Sequence, residues 1–454
     1  MPDTADVLVV GAGMGGLVAA TAAQEDGAQV ELLEKGPEPG GSFALAGGYV
    51  WTMPSFESYR QVVPLGDPIL GRLVVEDFDT GIGWLRDHGV RLGRLVERFG
   101  EDGVGIGYRI EPDTVSAGVV PLVEAFKAAG GRLSVNTAAV AFCADYSEGV
   151  TGAVSRAAGR AIRKIRAKAV VLATGGYQGD LELVTRYITP WADRLHLRSN
   201  QYSTGDGLRL ATGIGVAVSR GLNAFYGHLL PAPPARIEPA LFRVLAQFYS
   251  PHAVLLNGQG RRFVDESRGD AFSALALSRQ PDAQGFLVFD EDCHREHVAK
   301  SHLPDMPSFD PLSSIRSVGG TVLEASSLRG ITEAMAGFGL SEAVAEATLR
   351  RYDRAAAGGT ACLLDIPRQR NLHRCAKASF YAVPVRPGIT FTEGGLRVNE
   401  QCQALDRDGR PVPGLYVAGV DVGGVSYEGY AGGLAASLVT GLRAGIHAAR
   451  VGLA

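Results

Sequence analysis

The stretch Asp6-Val-Leu-Val-Val10, followed by Gly11-Ala-Gly13-Met-Gly15-Gly16 and Leu17-Val-Ala-Ala-Thr-Ala-Ala23, decides the fold class. Its continuous apolar run predicts a strand that is buried on both faces, as in a parallel sheet. The glycines predict a tight turn, and the alanine-rich run after them predicts a helix. Such a turn brings backbone N–H groups to the positive end of a helix dipole, where a pyrophosphate binds. We therefore predict a strand–turn–helix unit that binds a dinucleotide.

The residues that follow extend this unit and indicate a long ligand. A second strand pattern over 29–33 ends in Glu34 and Lys35, and a carboxylate about 20 residues beyond the turn can bind a ribose hydroxyl. A second glycine-rich stretch, 40–48, comes directly afterwards. Backbone that approaches a ligand closely favours glycine. A ligand that continues past its pyrophosphate, as FAD does, suits this second stretch.

Three later segments repeat these signals. A strand pattern ends in Thr174-Gly175-Gly176, a turn with Asp206 opens a helix, and a strand ending in Gly419 precedes a helix over 433–449. With these motifs the chain resembles the FAD-binding oxidoreductases of the succinate dehydrogenase/fumarate reductase flavoprotein superfamily, which includes 3-ketosteroid dehydrogenases. The resemblance covers nearly the whole chain. It implies an α/β fold: a Rossmann-like, glutathione-reductase-type FAD domain with an inserted α+β cap or substrate domain.

The resemblance also implies that both ends of the sequence build the FAD domain. We expect the FAD domain over 1–221 and 379–454 and the cap over 222–378. A proline-rich aromatic stretch, 225–234, interrupts the regular pattern, which returns at Phe380. Between them, two apolar runs predict strands over 253–257 and 285–290, and a helical pattern covers 341–357.

By resemblance, a set of residues distributed over these motifs holds the cofactor: Gly11, Gly13, Gly15, Gly16, Glu34, Lys35, Gly41, Ser42, Gly47, Gly48, Val140, Thr174, Gly175, Asp206, Gly419, Asp421, Ala435 and Ala436. Ala435 and Ala436 begin the helix whose N–H groups face the flavin pyrimidine in the family. Succinate dehydrogenases attach FAD covalently through a histidine near the position of Ser42 and Phe43. Because neither residue is histidine, we predict that FAD is bound non-covalently.

The substrate positions depart from those of the fumarate reductases, which clamp a dicarboxylate with two histidines and two arginines. Here Tyr430 takes the place of one arginine, Phe391 takes the place of one histidine, and Tyr249 takes the place of a proton-relay arginine. Arg268 matches the proton-donating arginine only with a one-residue gap. A carboxylate buried without these cations would lose its solvation without compensation. We therefore favour a neutral substrate.

The segment Gly429-Tyr430-Ala-Gly432-Gly433 resembles the part of 3-ketosteroid dehydrogenases whose tyrosine binds the ketone oxygen. This resemblance implies a dehydrogenase or reductase acting on the C–C bond α,β to a ketone in a neutral, cyclic, steroid-like substrate. The candidates for the base are Tyr226, Tyr249 and His228. Each of these residues, and Tyr430 itself, has packing as its alternative role, and Arg268 has an ion pair with Asp265 or Asp270.

Two other functions remain open. An enoate or fumarate-reductase-like enzyme would use Arg268 and His228 on a carboxylate substrate. A flavin-binding protein that senses redox state without turnover is the other.

Composition excludes several classes of protein. The 454 residues include 44 Lys and Arg against 48 Asp and Glu, without runs of like charge, which argues against a nucleic-acid-binding or membrane-surface protein. Five cysteines without a CxxC pair argue against a disulfide framework or a zinc site, so we predict no metal. An apolar span of about 20 residues is missing, and we predict a cytoplasmic protein. Without haem or iron–sulfur motifs, we expect electrons to pass to or from a diffusible partner.

Overall fold

The computed structural model describes residues 3–99, 103–112, 117–145, 149–159, 162–300 and 308–453. The chain divides into two units. The first unit contains Met1–Tyr187, Ser199–Phe225 and Phe391–Ala454, and the second contains Ile188–Arg198 and Tyr226–Thr390.

The strands within the described residues are β1 (Asp3–Val10), β2 (Val30–Leu33), β3 (Tyr49–Thr52), β4 (Leu92–Phe99), β5 (Gly105–Ile110), β6 (Arg132–Ser134), β7 (Thr137–Asp145), β8 (Gly149–Ala157), β9 (Ile162–Leu172), β10 (His196–Leu197), β11 (Phe225–Pro231), β12 (Val254–Asn257), β13 (Gly285–Asp290), β14 (Leu323–Ala325), β15 (Phe380–Thr392), β16 (Gln403–Leu405) and β17 (Pro411–Val417). The α-helices are α1 (Met14–Glu25), α2 (Phe56–Val62), α3 (Pro68–Glu76), α4 (Phe78–Asp87), α5 (Val119–Ala128), α6 (Leu181–Tyr187), α7 (Asp206–Gly213), α8 (Phe242–Leu245), α9 (Asp270–Ser278), α10 (Glu291–Cys293), α11 (Pro311–Ser317), α12 (Leu328–Ala336), α13 (Glu342–Ala357) and α14 (Gly433–Leu453).

The main sheet of the first unit has the strand order β16-β17-β9-β1-β2-β6, and the β7–β8 hairpin continues from β9. At its centre β1 runs parallel to β2 and to β9, with Val7 opposite Val30 on one side and Ala169 on the other. Val7, Leu8 and Val9 are fully buried. The α/β fold and the doubly buried first strand predicted from the apolar run are confirmed.

Helices α1 and α14 pack together through glycines. A Cβ added at Gly445 would lie 2.3 Å from the carbonyl oxygen of Ala19, and one at Gly441 would lie 2.7 Å from that of Gly15. Only glycine permits backbones this close. Gly441 and Gly445 therefore serve helix packing rather than ligand contact.

A small antiparallel sheet, β3-β5-β4, completes the first unit. Its strand β3 contributes Tyr49 and Trp51 to a hydrophobic cluster with Tyr59, Val63 and Ala431. Tyr430 packs against the same cluster. This cluster fixes the chain just before α14 begins.

The second unit is built on a sheet with the order β10-β15-β13-β12, and β11 and β14 also pair with β15. Its strands alternate between two cores: Leu255 and Leu287 belong to one hydrophobic cluster, and Val254 and Val288 belong to the other. The period of two in β-strands explains this division.

The structure differs from the sequence-based expectation at the boundaries of this unit. The proline-rich stretch at 225 forms strand β11 instead of interrupting regular structure. The second unit ends at Thr390 rather than 378, because β15 pairs with β13 from Phe380 to Val385. It also includes Ile188–Arg198, since His196 in β10 pairs with Gly388. The second unit is thus Ile188–Arg198 and Tyr226–Thr390, where the sequence predicts a cap over 222–378.

Among the described residues, no helix combines the length and the apolar character needed to cross a membrane.

Candidate active site

The glycine turn between β1 and α1 forms an open cradle. No side chain caps α1 at Gly13, so the N–H groups of its first turn point outward without a side-chain acceptor. A Cβ at Gly13 would come no closer than 4.0 Å to its nearest neighbour, the oxygen of Gly40. By contrast, a Cβ at Gly11 or Gly16 would lie 2.2 Å or 1.7 Å from a backbone oxygen. Gly11 and Gly16 thus allow the turn itself, while Gly13 keeps space open for a ligand.

Glu34 is held beside this turn. The N–H of Ala12 donates to Glu34 Oε2 at 2.9 Å, and the N–H of Gly36 donates to Oε1 at 2.6 Å. The adjacent Lys35 donates from Nζ to Asp206 Oδ2 at 2.8 Å, at the start of α7. The structure therefore brings three predicted cofactor residues, Glu34, Lys35 and Asp206, to the same edge of the main sheet.

The second glycine stretch lies against the first. The N–H of Gly40 donates to the oxygen of Ala12 at 2.7 Å, and a Cβ at Gly41 would lie 3.6 Å from Gly13 Cα. Ser42 Oγ is 2.8 Å from Ser199 Oγ. Gly47 and Gly48 follow and lead into β3. The two glycine stretches form one continuous cradle, as a ligand extending beyond its pyrophosphate requires.

Asp421, another predicted cofactor residue, is buried between the end of β9 and the turn after β17. Its buried carboxylate accepts hydrogen bonds from the N–H and the hydroxyl of Thr174, the latter at 2.9 Å to Oδ2. Thr174 Oγ1 in turn accepts from the N–H of Gly207 at 2.9 Å. Burial raises the pKa of Asp421, and the hydrogen bonds to Thr174 oppose that shift. Asp421 thus ties the end of β9 to the turn after β17.

The remaining predicted cofactor residues lie on the first unit. Val140 falls at an irregularity of β7, between the paired residues Ala139 and Ala141. Gly175 adopts a positive φ of 87° after β9. Gly419 has a φ of 65°, and its nitrogen would lie 2.8 Å from a Cβ at Gly15. Ala435 and Ala436 lie in the first turn of α14.

Tyr430 lies immediately before α14. Its hydroxyl oxygen accepts a hydrogen bond from the N–H of Gly433, the first residue of the helix, at 3.1 Å. Its ring meets Trp51 edge-on, with centroids 5.1 Å apart, and lies 6.0 Å from the ring of Phe391. A Cβ at Gly432 would come within 1.8 Å of the oxygen of Trp51, so this position requires glycine. The phenol is held in an aromatic setting, with a helix N-terminus at its oxygen.

A buried polar pair lies in the second unit. His228 in β11 places Nδ1 2.6 Å from Oδ2 of Asp270, the first residue of α9. The other oxygen of Asp270 accepts from the N–H of Leu229 at 3.1 Å and from the hydroxyl of Ser250 at 3.2 Å. Since these two donors occupy Oδ1, a proton held by the pair lies between Oδ2 and Nδ1.

Burial dominates the electrostatics of this pair. It lowers the pKa of His228 well below its usual value, helped by the positive charge of Arg198. It raises the pKa of Asp270 to about 8, against the hydrogen bonds from Leu229 and Ser250. The lowered pKa of His228 and the raised pKa of Asp270 both favour a pair that carries no net charge and shares one proton.

The other candidates for the base differ in exposure. Tyr226 is partly exposed, and its ring lies edge-on to His228 with centroids 5.1 Å apart. Tyr249 is buried in a hydrophobic cluster, where its hydroxyl has no hydrogen-bond partner among the described residues. Burial raises the pKa of Tyr249 well above its usual value. A phenol in that state does not accept protons at neutral pH.

Arg268 is exposed and stacks on an aromatic ring. Its guanidinium carbon lies 3.4 Å from the ring centroid of Phe272. The oxygens of Asp270, one of its two expected partners, bind His228, Leu229 and Ser250 instead. The contact described for Arg268 is thus the ring of Phe272 rather than the carboxylate of Asp270.

Sequence reasoning missed two residues of these arrangements. The sequence suggests Asp270 only as a partner for Arg268, and no spacing links it to His228, 42 residues earlier. Trp51 lies three residues after Gly48, the end of the second glycine stretch, and that nearness was a usable signal. Its proximity to Tyr430 depends on tertiary packing.

The arrangement defines a class: a Rossmann-like fold whose glycine cradle, carboxylate at the end of β2 and second glycine stretch fit FAD. Residues 6–438 match the family model FAD_binding_2, described as an FAD binding domain, and the chain belongs to this family. It is an FAD-dependent oxidoreductase of the succinate dehydrogenase/fumarate reductase flavoprotein superfamily.

Two curated relatives and one solved structure illustrate the similarity. The chain is 27% identical over 471 residues to the probable fumarate reductase Ifc3 of Shewanella frigidimarina, covering 99% of this chain and 75% of that protein. It is 24% identical over 534 residues to 4-oxocyclohexanecarboxylate 2-dehydrogenase of Sinomonas cyclohexanicum, covering 94% and 89%. The structure of 3-ketosteroid-Δ4-(5α)-dehydrogenase from Rhodococcus jostii RHA1 matches with a TM-score of 0.75 and 22% identity, covering 98% of this chain and 97% of that one. This last likeness shows the fold.

Proposed function

We propose that the protein oxidises or reduces the C–C bond α,β to a ketone in a neutral, cyclic substrate, exchanging electrons with a diffusible partner. The observation that carries the proposal is the position of Tyr430. Its phenol lies at the N-terminus of α14, accepts the N–H of Gly433 and packs against Trp51.

Tyr430 suits the polarisation of a carbonyl. A phenol has a reference pKa near ~10 and is neutral at working pH, so it donates a hydrogen bond without burying a charge. Because its oxygen accepts from Gly433, its own O–H becomes a stronger donor through cooperative polarisation. A donor to the ketone oxygen stabilises enolate character and acidifies the α C–H.

The reaction needs a proton acceptor and a hydride acceptor. Dehydrogenation removes a proton from the α carbon and a hydride from the β carbon, and the two electrons left by the proton form the double bond. Bound FAD supplies the acceptor of the hydride, or its donor in the reverse direction.

For the proton we propose Tyr226, the partly exposed candidate of the second unit. The buried His228–Asp270 pair is then a positioning pair that fixes the strand and the ring beside Tyr226. Tyr249 is the weakest candidate because its pKa is raised well above the usual value.

A carboxylate substrate is the second candidate. The exposed guanidinium of Arg268, which stacks on Phe272, favours it, since such a cation can bind an anion. The relative named 4-oxocyclohexanecarboxylate 2-dehydrogenase carries both a ketone and a carboxylate in its substrate name, so it is compatible with either view. Unchanged turnover of a carboxylate substrate by Arg268→Ala would exclude a role for this residue.

The test of the leading proposal is Tyr430→Phe, which keeps the ring and its packing on Trp51 and removes the donor. Loss of one such contact typically lowers kcat by about 10²–10³-fold. FAD content and melting temperature should stay near wild type, because no cavity forms. Phe391→Leu is a control for the aromatic surroundings, and we expect it to reduce kcat far less. Turnover of Tyr430→Phe above about a third of wild type would contradict the proposed role.

A further inference from the structure

Three histidines from separate segments of the second unit come together. His252 ends a short 3-10 turn, His297 lies in the turn after α10, and His373 lies in the segment before β15. His252 Nδ1 is 2.9 Å from His373 Nε2. The rings of His252 and His297 stack with centroids 4.1 Å apart, and those of His297 and His373 are also 4.1 Å apart. One nitrogen from each ring lies within 4.8 Å of the others.

The backbone around this histidine cluster is held by buried groups. Arg368, which is fully buried, donates to the oxygen of Ala253 at 2.7 Å and to that of Pro251. These hydrogen bonds fix the backbone on both sides of His252. The hydroxyl of Tyr352 donates to the oxygen of His373 at 2.9 Å. Two of the three rings are therefore attached to fixed backbone, which lowers the entropic cost of binding a ligand between them.

The pKa values of two of the three histidines, His297 and His373, are lowered. Burial lowers the pKa of His373 to about 4, and the nearby His297 and Arg368 add to the shift. The pKa of His297 is lowered too, first by burial and then by Lys300. A neutral imidazole offers a lone pair, and this is the form that binds zinc and similar ions.

The neighbouring acidic groups and thiol have other partners. The thiol of Cys293 donates to the backbone oxygen of His252 at 3.4 Å. Asp290 Oδ2 accepts from the N–H groups of Ala376 and Lys377, each at 3.0 Å. The cluster therefore offers nitrogen ligands, which select zinc-class ions over magnesium or calcium.

We propose that His252, His297 and His373 bind a divalent transition-metal ion of the zinc class through one nitrogen each. Zn–N bonds of about 2.0–2.1 Å in a tetrahedron place the nitrogens a little over 3 Å apart. The three ligand nitrogens of the cluster lie within 4.8 Å of one another. Because the rings of His252 and His297 are stacked parallel with centroids 4.1 Å apart, one of the two must rotate before both in-plane lone pairs can reach the ion. The three rings are partly exposed, so water reaches the ion and completes its coordination.

Such an ion would join three segments that are far apart in sequence and would stabilise the second unit by mass action. This role is independent of the proposed ketone chemistry. It also departs from the sequence-based prediction of no metal, which rested on the cysteines, because no local motif connects these histidines.

The test uses the FAD-loaded protein after treatment with a chelator, titrated calorimetrically with Zn²⁺. We expect one ion per chain, and X-ray absorption at the zinc edge should give three nitrogens at about 2.0–2.1 Å. His297→Gln should weaken binding at least tenfold, since loss of even outer partners costs about 10–100-fold. His88→Gln, which alters a histidine of the first unit, should bind like wild type.

The wild-type measurement keeps the test decisive if His297→Gln fails to fold or to retain FAD. No saturable binding to the wild type, or a zinc shell without imidazole nitrogens, would overturn the proposal. Undiminished affinity in a folded His297→Gln variant would overturn it as well.

Discussion

At the residue scale, the buried pair of the second unit makes a prediction about pH. Because burial raises the pKa of Asp270 to about 8, the proton shared with His228 leaves as the pH rises through that value. We expect an inflection near pH 8 in the kcat–pH profile of the wild type. Asp270→Asn removes the titrating acid, so this inflection should disappear and kcat should fall by up to about 10²-fold.

The matched control is Asp292→Asn, which alters an exposed aspartate of the same unit that pairs with Lys377. It should keep the wild-type profile. If Asp270→Asn retains the same inflection, the titration belongs to another group and the pair has only a packing role.

Individual residues also show which parts of the site can be predicted from the sequence and which cannot. Gly11, Glu34 and Tyr430 could be named because they lie inside local patterns with fixed spacing. The His228–Asp270 pair and the cluster of His252, His297 and His373 could not, because each joins segments that are far apart in sequence, with helices and strands between them. Tertiary contacts of this kind leave no periodicity in the sequence.

At the scale of elements, the turn between β1 and α1 predicts that alanine at Gly13 weakens FAD binding, whereas alanine at an equally open glycine outside the turn does not. Gly13 has extended backbone and open space at its Cβ position. Gly13→Ala should therefore fold with a melting temperature near wild type, while the added methyl group enters the cradle and weakens FAD binding. Equilibrium dialysis of FAD measures the effect. The control Gly83→Ala, with nothing near its Cβ position, should bind FAD normally.

Unchanged FAD affinity in Gly13→Ala would contradict the placement of the pyrophosphate at this turn. A general loss of folding would instead show that Gly13 has a structural role.

Gly445→Ala tests the packing of α14 on α1. A methyl group 2.3 Å from the oxygen of Ala19 forces the two helices apart. Overpacking of this kind typically costs about 1–3 kcal/mol, so the free energy of unfolding should fall by that amount. Chemical denaturation measures it, and a loss below about 0.5 kcal/mol would mean that the helices adjust freely.

The sequence patterns predicted the positions of individual strands and helices well. The predicted strand over 285–290 is β13, and the helix predicted over 341–357 is α13, Glu342–Ala357. The proline-rich stretch was the exception, because its first part, Phe225–Pro231, pairs with β15 as strand β11, and Pro233 and Pro234 follow that strand. The second unit continues past the expected boundary at 378 because β15 pairs with β13, a partner far away in the sequence.

At the scale of the whole molecule, the absence of histidine at Ser42 and Phe43 predicts that FAD is not covalently attached. Ser42 Oγ lies beside Ser199 Oγ, and Phe43 is buried. Acid precipitation should release all the flavin into the supernatant as intact FAD, detected by its absorbance and mass. Flavin that stays with the precipitated chain would contradict this prediction.

The proposal that the holoenzyme acts on a neutral cyclic ketone or enone can be tested by anaerobic exchange of electrons between substrate and bound flavin. Oxidised protein is mixed with saturated cyclic ketones and with succinate, and reduced protein is mixed with cyclic enones and with fumarate, while flavin absorbance is followed in a stopped-flow instrument. We predict rapid flavin reduction by a cyclic ketone or rapid reoxidation by its enone, with negligible rates for succinate and fumarate. Faster reaction with the dicarboxylates would contradict the account.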